Sequence, residues 1–319
     1  MKFSIVTPAG AARRSGNQHT AQRWAGFLRA LRHRVTIMQD WDGASTDVLI
    51  ALHARKSSAS IERFHAAHPH RPLIVVLTGT DLYRDIATYA EARQALALAS
   101  RLVVLQPAGL QHLARHLRAK TRVIYQSAAT RTRHQPVQGR FRIAVAGHLR
   151  EEKDPFRTVM ALARLPDDDN FEVIQLGDAL SADMARTARQ WMKREPRYRW
   201  LGSKPHADAL RRMAGCQLMV VSSVMEGGAN VICEAARIGV PVLASRVSGN
   251  IGMLGTGYRG YFPLHDDRKL ARLIDRAATD KAFYRTLERA VLARRPLFAP
   301  AAERMALEGL LAEVAETRI

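Results

Sequence analysis

Short, uniformly apolar runs recur along the chain, separated by amphipathic stretches, and this alternation restricts the fold more than any other feature. The runs FSIVTP (3–8), RVTIMQ (34–39), DVLIALH (47–53), PLIVVLTG (72–79), RLVVLQ (101–106) and RVIYQS (122–127) form a first series. The polar stretch TRTRHQPVQGR (130–140) interrupts it. A second series follows: FRIAVAGH (141–148), FEVIQLGD (171–178), YRWLG (198–202), CQLMVVSS (216–223) and VPVLAS (240–245). A run that is apolar at every position, not at alternate ones, is a strand buried on both faces, as in a parallel sheet covered by helices. Strand–helix alternation builds βαβ units with right-handed crossovers. The sequence therefore predicts an α/β protein of two Rossmann-like parallel-sheet domains, residues 1–135 and 136–295, with a final helical segment over 296–319. In 18–32, Trp24, Leu28 and Leu31 recur at helical spacing as a core-facing stripe. AAERMALEGLLAEVAE (301–316) is rich in helix formers.

Composition agrees with a folded two-domain chain: 319 residues, 47% hydrophobic and 24% charged. No run of about 18 apolar residues predicts a membrane span. MKFSIVTPAG reads as a buried strand and not as a signal peptide, which needs a longer apolar segment. The two cysteines, Cys216 and Cys233, make no disulfide framework, and no Cys/His cluster has zinc spacing. Reduced thiols in a cytoplasmic protein, with no metal, are expected. The net charge of +20 is dominated by Arg in segments such as RALRHR, ARHLRAKTR and ATRTRH. A nucleic-acid binder is one reading. Solvated helix faces are the simpler one, because no stripe or aromatic interleaving concentrates the charge, so no nucleic-acid partner is expected.

Familiar nucleotide motifs are missing. Gly10 to Gly16 is one residue too long for a Walker loop, and Asn17 stands where the Lys belongs; no G-x-G-x-x-G follows a strand, and no G-x-S-x-G elbow occurs. Three other stretches carry chemistry. In VAGHLREEKDP (145–155), Gly147 permits a sharp turn at a strand's C-terminal end, where open α/β sheets bind ligands. Arg150 and Lys153, three apart, suit a diphosphate if one turn brings them together; otherwise they are a solvated loop beside Glu151 and Glu152. In MEGGANVICEAARIGVP (225–241), Gly227 and Gly228 allow close backbone approach, and a helix starts near Ala229 or Asn230 and stops before Gly239. Its unpaired N–H groups form an anion site. Glu226 either reaches a ligand hydroxyl or caps the helix; Glu234 either accepts from a ribose diol or is an exposed helix residue, though its apolar neighbours argue against exposure. In TPAGAARRSGNQHT (7–20), Gly16-Asn17 offers a close approach, and Arg13 and Arg14 either bind anions or are solvated.

These residues resemble a family. GHLREEKDP is similar to the G-x-x-R-x-x-K segment of retaining GT-B glycosyltransferases of family 4, and EGGANVICEAARIGVPVLAS to that family's block of two glutamates eight positions apart, with Asn230, Ala235, Gly239 and Pro241 in place. The resemblance implies a GT-B fold with the two domains facing a cleft, a UDP-sugar as co-substrate, and no cofactor or metal. It implies Arg150, Lys153 and Glu226 as catalytic residues. It gives Gly16, Asn17, Gly147, Gly177, Gly202, Lys204, Gly227, Gly228, Ala229, Asn230 and Glu234 to the donor, with Glu234 on the ribose and the Gly177 and Gly202 segments near the base. It also implies that the last helix crosses back to the first domain. One departure stands out. In VVLTGTDLYRD (75–85), Thr78 occupies the place of the family's His, so that His does not transfer; His53 is an alternative, although a lone His at a strand end is more often structural. The first-domain segments TPA…GN…TA.RWA, ALHARKSSASI and LTGTDLYRD further resemble the selenosugar synthases of selenoneine biosynthesis, which join selenophosphate to the sugar of a UDP-sugar. That resemblance implies a small anionic acceptor near Arg13, Arg14, His53, Lys56, Thr78, Gly79, Thr80 and Asp81, with Arg55 and Arg84 as further basic candidates. A glycosyltransferase acting on a lipid or polysaccharide is the competing reading. No basic helix with aromatic residues on its apolar side supports stable membrane insertion.

Overall fold

The computed structural model describes residues 1–8, 16–166 and 170–316. They fall into two compact units: Met1–Gln126 together with the chain from Pro300 onward, and Ser127–Ala299.

In the first unit, strands β1 (Lys2–Val6), β2 (Arg34–Met38), β3 (Val48–Leu52), β4 (Leu73–Leu77), β5 (Arg101–Val104) and β6 (Thr121–Val123) form a six-stranded sheet in the order β2-β1-β3-β4-β5-β6. Every neighbouring pair is parallel. All residues of β3 and β4 are buried, whereas edge strand β2 is not, as continuous and weaker apolar runs predict. Successive β3 side chains feed opposite cores: Ile50 joins Phe3, Ile5, Trp24 and Leu28 on one face, and Leu49 and Ala51 join Ile61, Phe64 and Leu102 on the other.

The first core is completed from far along the chain. Leu307, Leu310, Leu311 and Val314, on the helix Pro300–Glu316, pack into it. The same helix carries Glu303, whose fully buried carboxylate accepts from Arg23 Nε (2.6 Å), Arg23 Nη2 (3.0 Å) and Trp24 Nε1 (2.8 Å). The first helix spans Gly16–Ala30, so Leu31 falls beyond its end and is only half-buried; Ala21 and Ala25 complete the stripe with Trp24 and Leu28.

In the second unit, β7 (Phe141–Ala146), β8 (Phe171–Leu176), β9 (Tyr198–Trp200), β10 (Leu218–Val221), β11 (Val242–Ser245) and β12 (Tyr261–Phe262) form a six-stranded sheet in the order β12-β11-β10-β7-β8-β9, again parallel throughout. Strand β12 has two residues, too few to show as an apolar run. The order reverses between β7 and β10: the chain builds outward through β8 and β9, then returns to the other side of β7. That reversal is where an open α/β sheet parts its loops and leaves a crevice at the strands' carboxyl ends.

Cys216 and Cys233 are free and buried, and burial pushes the Cys216 thiol up to about 12. Among the described residues no helix is long and apolar enough to cross a membrane.

Candidate active site

The crevice between β7 and β10 holds the candidate site. Val145, Ala146 and Gly147 from the end of β7 and Val220, Val221, Ser222 and Ser223 from the end of β10 line a hollow closed by His148, Lys153, Glu226 and Val231. Its volume is about 20 Å³, the room of roughly one water molecule. The hollow is small because Lys153 Nζ donates to Glu226 Oε1 across it. Ser223 Oγ donates to the same oxygen at 2.6 Å. Glu226 is 7% exposed and the Lys153 side chain 22%, so this ion pair is partly buried.

Both partners sit on turns tied to each other. Arg150 precedes a single 3-10 turn, Glu151–Lys153, which ends at Asp154 in the left-handed conformation (φ 43°). Val224 N–H donates to Glu152 O (2.9 Å), and Ser222 Oγ lies 3.1 Å from Lys153 O and 2.8 Å from Asp154 O. Behind Glu226, Ser245 Oγ donates to Ser223 O, and Asn250 Nδ2 donates to Ser245 O and Oγ at 3.0 Å. Gly249 makes this packing possible: a Cβ there would stand 1.7 Å from Glu226 O. Gly249→Ala is therefore expected to push the Glu226 loop aside, lowering stability by about 1–3 kcal/mol and weakening ligand binding at Lys153; a denaturant midpoint unchanged from the parent would contradict the close packing.

Arg150 is not part of the lining. Its side chain is 44% exposed, with Nε 4.0 Å from Glu152 Oε2. The turn thus brings Lys153 inward and leaves Arg150 outside, the second of the two arrangements its spacing allows. Glu226 is also not a helix cap: the capping position of Asn230–Ile238 is Ala229, with no side-chain bond. Val231, from the first turn of that helix, reaches the hollow. Gly227 is buried, Gly228 half-buried, and Gly239 ends the helix at φ 106°.

Beside the hollow, three glycines form a ledge. Gly147, Gly177 and Gly202 follow β7, β8 and β9, all at positive φ (145°, 131° and 66°). Gly147 N–H donates to Leu176 O and Gly177 N–H to Gly202 O, both at 2.9 Å. A Cβ on Gly177 would meet Gly147 O at 2.1 Å, so only glycine fits between these strand ends. Asp178 Oδ1 accepts from Ser203 N–H (3.0 Å) and Asp178 N–H donates to His148 Nδ1 (3.2 Å). Lys204 is half-buried on the same run.

Glu234, in the helix Asn230–Ile238, has a side chain 16% exposed and accepts from His206 Nε2 at 2.8 Å. His206 opens the helix His206–Ala214 and escaped the sequence reading, since a lone His after Lys-Pro carries no motif. The hydrogen bond to Glu234 raises the imidazole's pKa, outweighing partial burial. A raised value means the charged pair is fully formed below about pH 6.5, the ordinary histidine value, and fades as pH rises through the raised one. His206→Asn is expected to remove the pH dependence above about pH 6.5 that this pair gives UDP affinity; a profile identical to the parent's would contradict that link.

In the first unit, His53 sits at φ 78° and is 2% exposed. Its Nδ1 accepts from Lys56 N–H (3.3 Å) and its Nε2 faces Thr80 Oγ1 (3.0 Å), so Nε2 carries the proton and donates. Burial lowers its pKa, against the raising pull of Asp81. Asp81 is fully buried and accepts from Thr78 N–H (2.6 Å), Thr78 Oγ1 (2.9 Å) and Ala54 N–H (2.9 Å). His53 and Asp81 are therefore buried beneath this corner and engaged by neighbouring backbone and hydroxyl groups. Thr78, Gly79 and Thr80 remain half-exposed above them, Lys56 and Arg84 are exposed, and Arg55 stacks on Tyr89 at 3.6 Å. Gly16 and Asn17 open the first helix, exposed and half-buried respectively. Arg13 and Arg14 lie outside the described residues. Among the described residues no group of three or more His, Cys, Asp or Glu is arranged to hold a metal ion.

Residues 126–292, more than half of the chain, match the family "Glycosyl transferases group 1". The chain belongs to this family. Solved structures agree on the fold. An Anabaena protein, Alr3699/HepE, in complex with UDP-glucose superposes with a TM-score of 0.80 at 19% identity, covering 98% of this chain and 100% of its own. Sucrose-phosphate synthase from Thermosynechococcus elongatus gives 0.79 at 16% identity, with 99% of each chain covered. A glycosyltransferase from Rickettsia africae ESF-5 gives 0.74 at 12%, with 98% of each chain covered. This group 1 glycosyltransferase thus has the GT-B fold, with the Lys153–Glu226 hollow at the switch point of its second sheet.

Proposed function

We propose that this glycosyltransferase moves glucose or N-acetylglucosamine from a UDP-sugar to selenophosphate, releasing UDP and forming a selenosugar of the kind used to make selenoneine. The observation that carries the donor half is the part-buried Lys153–Glu226 pair, in a crevice that Val231, from the first turn of the helix Asn230–Ile238, also lines. The Anabaena relative's complex with UDP-glucose supports the choice of nucleotide.

The hollow is too small to enclose a diphosphate, so the diphosphate sits at its rim. Lys153 and the first amides of the helix neutralise the charge that grows on the leaving UDP as the C1–O bond breaks. Glu226 holds Lys153 through Oε1 and offers Oε2 to a sugar hydroxyl. Arg150, already in solvent, swings about its side-chain torsions to supply a second cation. The glycine ledge lets the backbone lie close to the nucleoside, and Glu234 exchanges His206 for the ribose diol. No metal is needed, because the cation and helix terminus carry the electrostatic work.

The acceptor half rests on the first-unit segments and on Thr78 standing where relatives of the resembled family keep a His. Selenium attacks C1 with its own electron pair as the C1–O pair leaves on the β-phosphate oxygen. An anionic selenium is nucleophilic enough to need no general base. Lys56, Arg55 and Arg84 bring cations to the first-unit corner, where Arg55 pairs with Asp85 and Glu91 and Arg84 with Asp85, and Thr80 adds a hydroxyl; the acceptor's phosphate competes with these carboxylates for the guanidinium groups.

Mass spectrometry after incubation with UDP-glucose or UDP-N-acetylglucosamine, with and without selenophosphate, tests the reading. UDP and a sugar–selenium product appearing only with both substrates is the expected result. Donor consumption that ignores selenophosphate, or sugar found on another acceptor, would overturn the acceptor half and leave the donor half standing.

A further inference from the structure

A second basic hollow lies on the second unit, lined by Thr130, Arg131, Thr132, Arg133, Arg237 and Arg295. Its volume is about 520 Å³, within the range of roughly 300–1,000 Å³ typical of small-ligand sites. None of the residues that line it is acidic, and none belongs to the Lys153–Glu226 site. The segment carrying Arg131 and Arg133 is anchored on both sides: Ala128 N–H donates to Phe298 O (3.1 Å), His134 N–H to Ile238 O (3.2 Å) and Gln135 N–H to Ala214 O (2.9 Å). The opposite wall is equally fixed. Arg295 donates through Nε (3.1 Å) and Nη2 (2.8 Å) to Arg237 O, and through Nη2 to Ile238 O (3.2 Å), closing the end of the helix Asn230–Ile238. Arg237 Nε is buried without a hydrogen-bond partner among the described residues. Glu288 Oε1 lies 4.0 Å from His134 Nδ1.

Guanidinium groups held round one hollow repel each other, and a buried N–H with no acceptor is costly. An anion with several oxygens relieves that repulsion, because a planar fork takes a phosphate edge through paired hydrogen bonds. We propose that this hollow binds an anion carrying two or more phosphate groups, at a site separate from the sugar donor's.

Inorganic tripolyphosphate, titrated calorimetrically into the full chain, is the probe. The parent is expected to bind it saturably, and Lys153→Ala to keep that binding. The double variant Arg131→Ser/Arg133→Ser, whose side chains are exposed and whose loss leaves the core intact, is expected to weaken it by about tenfold or more. A flotation arm with vesicles bearing a phosphoinositide identifies the source of the phosphates: capture that tripolyphosphate displaces assigns a lipid headgroup, and tripolyphosphate binding without capture assigns a soluble anion. Absence of saturable binding to the parent, or loss in Lys153→Ala with the double variant unaffected, would overturn the proposal.

Discussion

Lys153→Ala is expected to lower kcat about a hundredfold, the largest loss of activity from a single side chain in this protein. Among the described residues its ammonium is the only Lys or Arg cation lining the switch-point hollow, and it is held by Glu226 before any ligand arrives. A charge already in place needs no reorganisation when negative charge develops on the leaving nucleotide, so its removal falls on the transition state. Arg150→Ala, at the exposed end of the same turn, is expected to lose less. Lys153→Arg is expected not to restore activity, because a planar fork does not fit a hollow of about 20 Å³ already filled by the Lys153–Glu226 contact. Initial rates of UDP release from saturating UDP-sugar check this. Turnover in Lys153→Ala close to the parent's would contradict the role.

Glu303→Ala is expected to lower the stability of the chain by about 3–5 kcal/mol, the range for breaking a buried ion pair by removing one partner. The carboxylate is fully buried and accepts from Arg23 Nε and Nη2 and from Trp24 Nε1. Truncation leaves the indole N–H and a guanidinium that is 18% exposed facing a cavity. Glu308→Ala, on the same helix but in an exposed pair with Arg304, is expected to change stability by less than about 1 kcal/mol. Denaturant unfolding of the two variants separates a buried brace from a surface pair. Equal midpoints would show that Glu303 contributes no more than Glu308.

These effects mark what the chain's sequence reveals and what it hides. Parallel strands were legible because burial on both faces leaves continuous apolar runs, as in β3 and β4, and the start and stop of Asn230–Ile238 because glycine and proline punctuate it. Strand β12 left no period to detect. The ion pair at Glu303 joins residues 280 positions apart, and nothing local in Arg23 or Glu303 announces it. At the site, residue types were legible and directions were not. Glu226 turns to Lys153 because a 3-10 turn, Gly249 and Ser223 aim the two side chains at each other. Arg150, three residues away, points outward because the same turn spends its inward position on Lys153. His53 and Asp81 carry side chains suited to an acceptor site, yet the positive φ at His53 and the amides of Ala54 and Thr78 draw both beneath the surface. His206 became visible only once folding brought it to Glu234, 28 positions away.

The most direct measurement is calorimetric titration of UDP into the parent protein and Lys153→Ala. If the switch-point hollow receives the donor's diphosphate, the parent binds UDP and the variant binds it about tenfold more weakly or worse. Equal affinity in the two proteins would contradict the account.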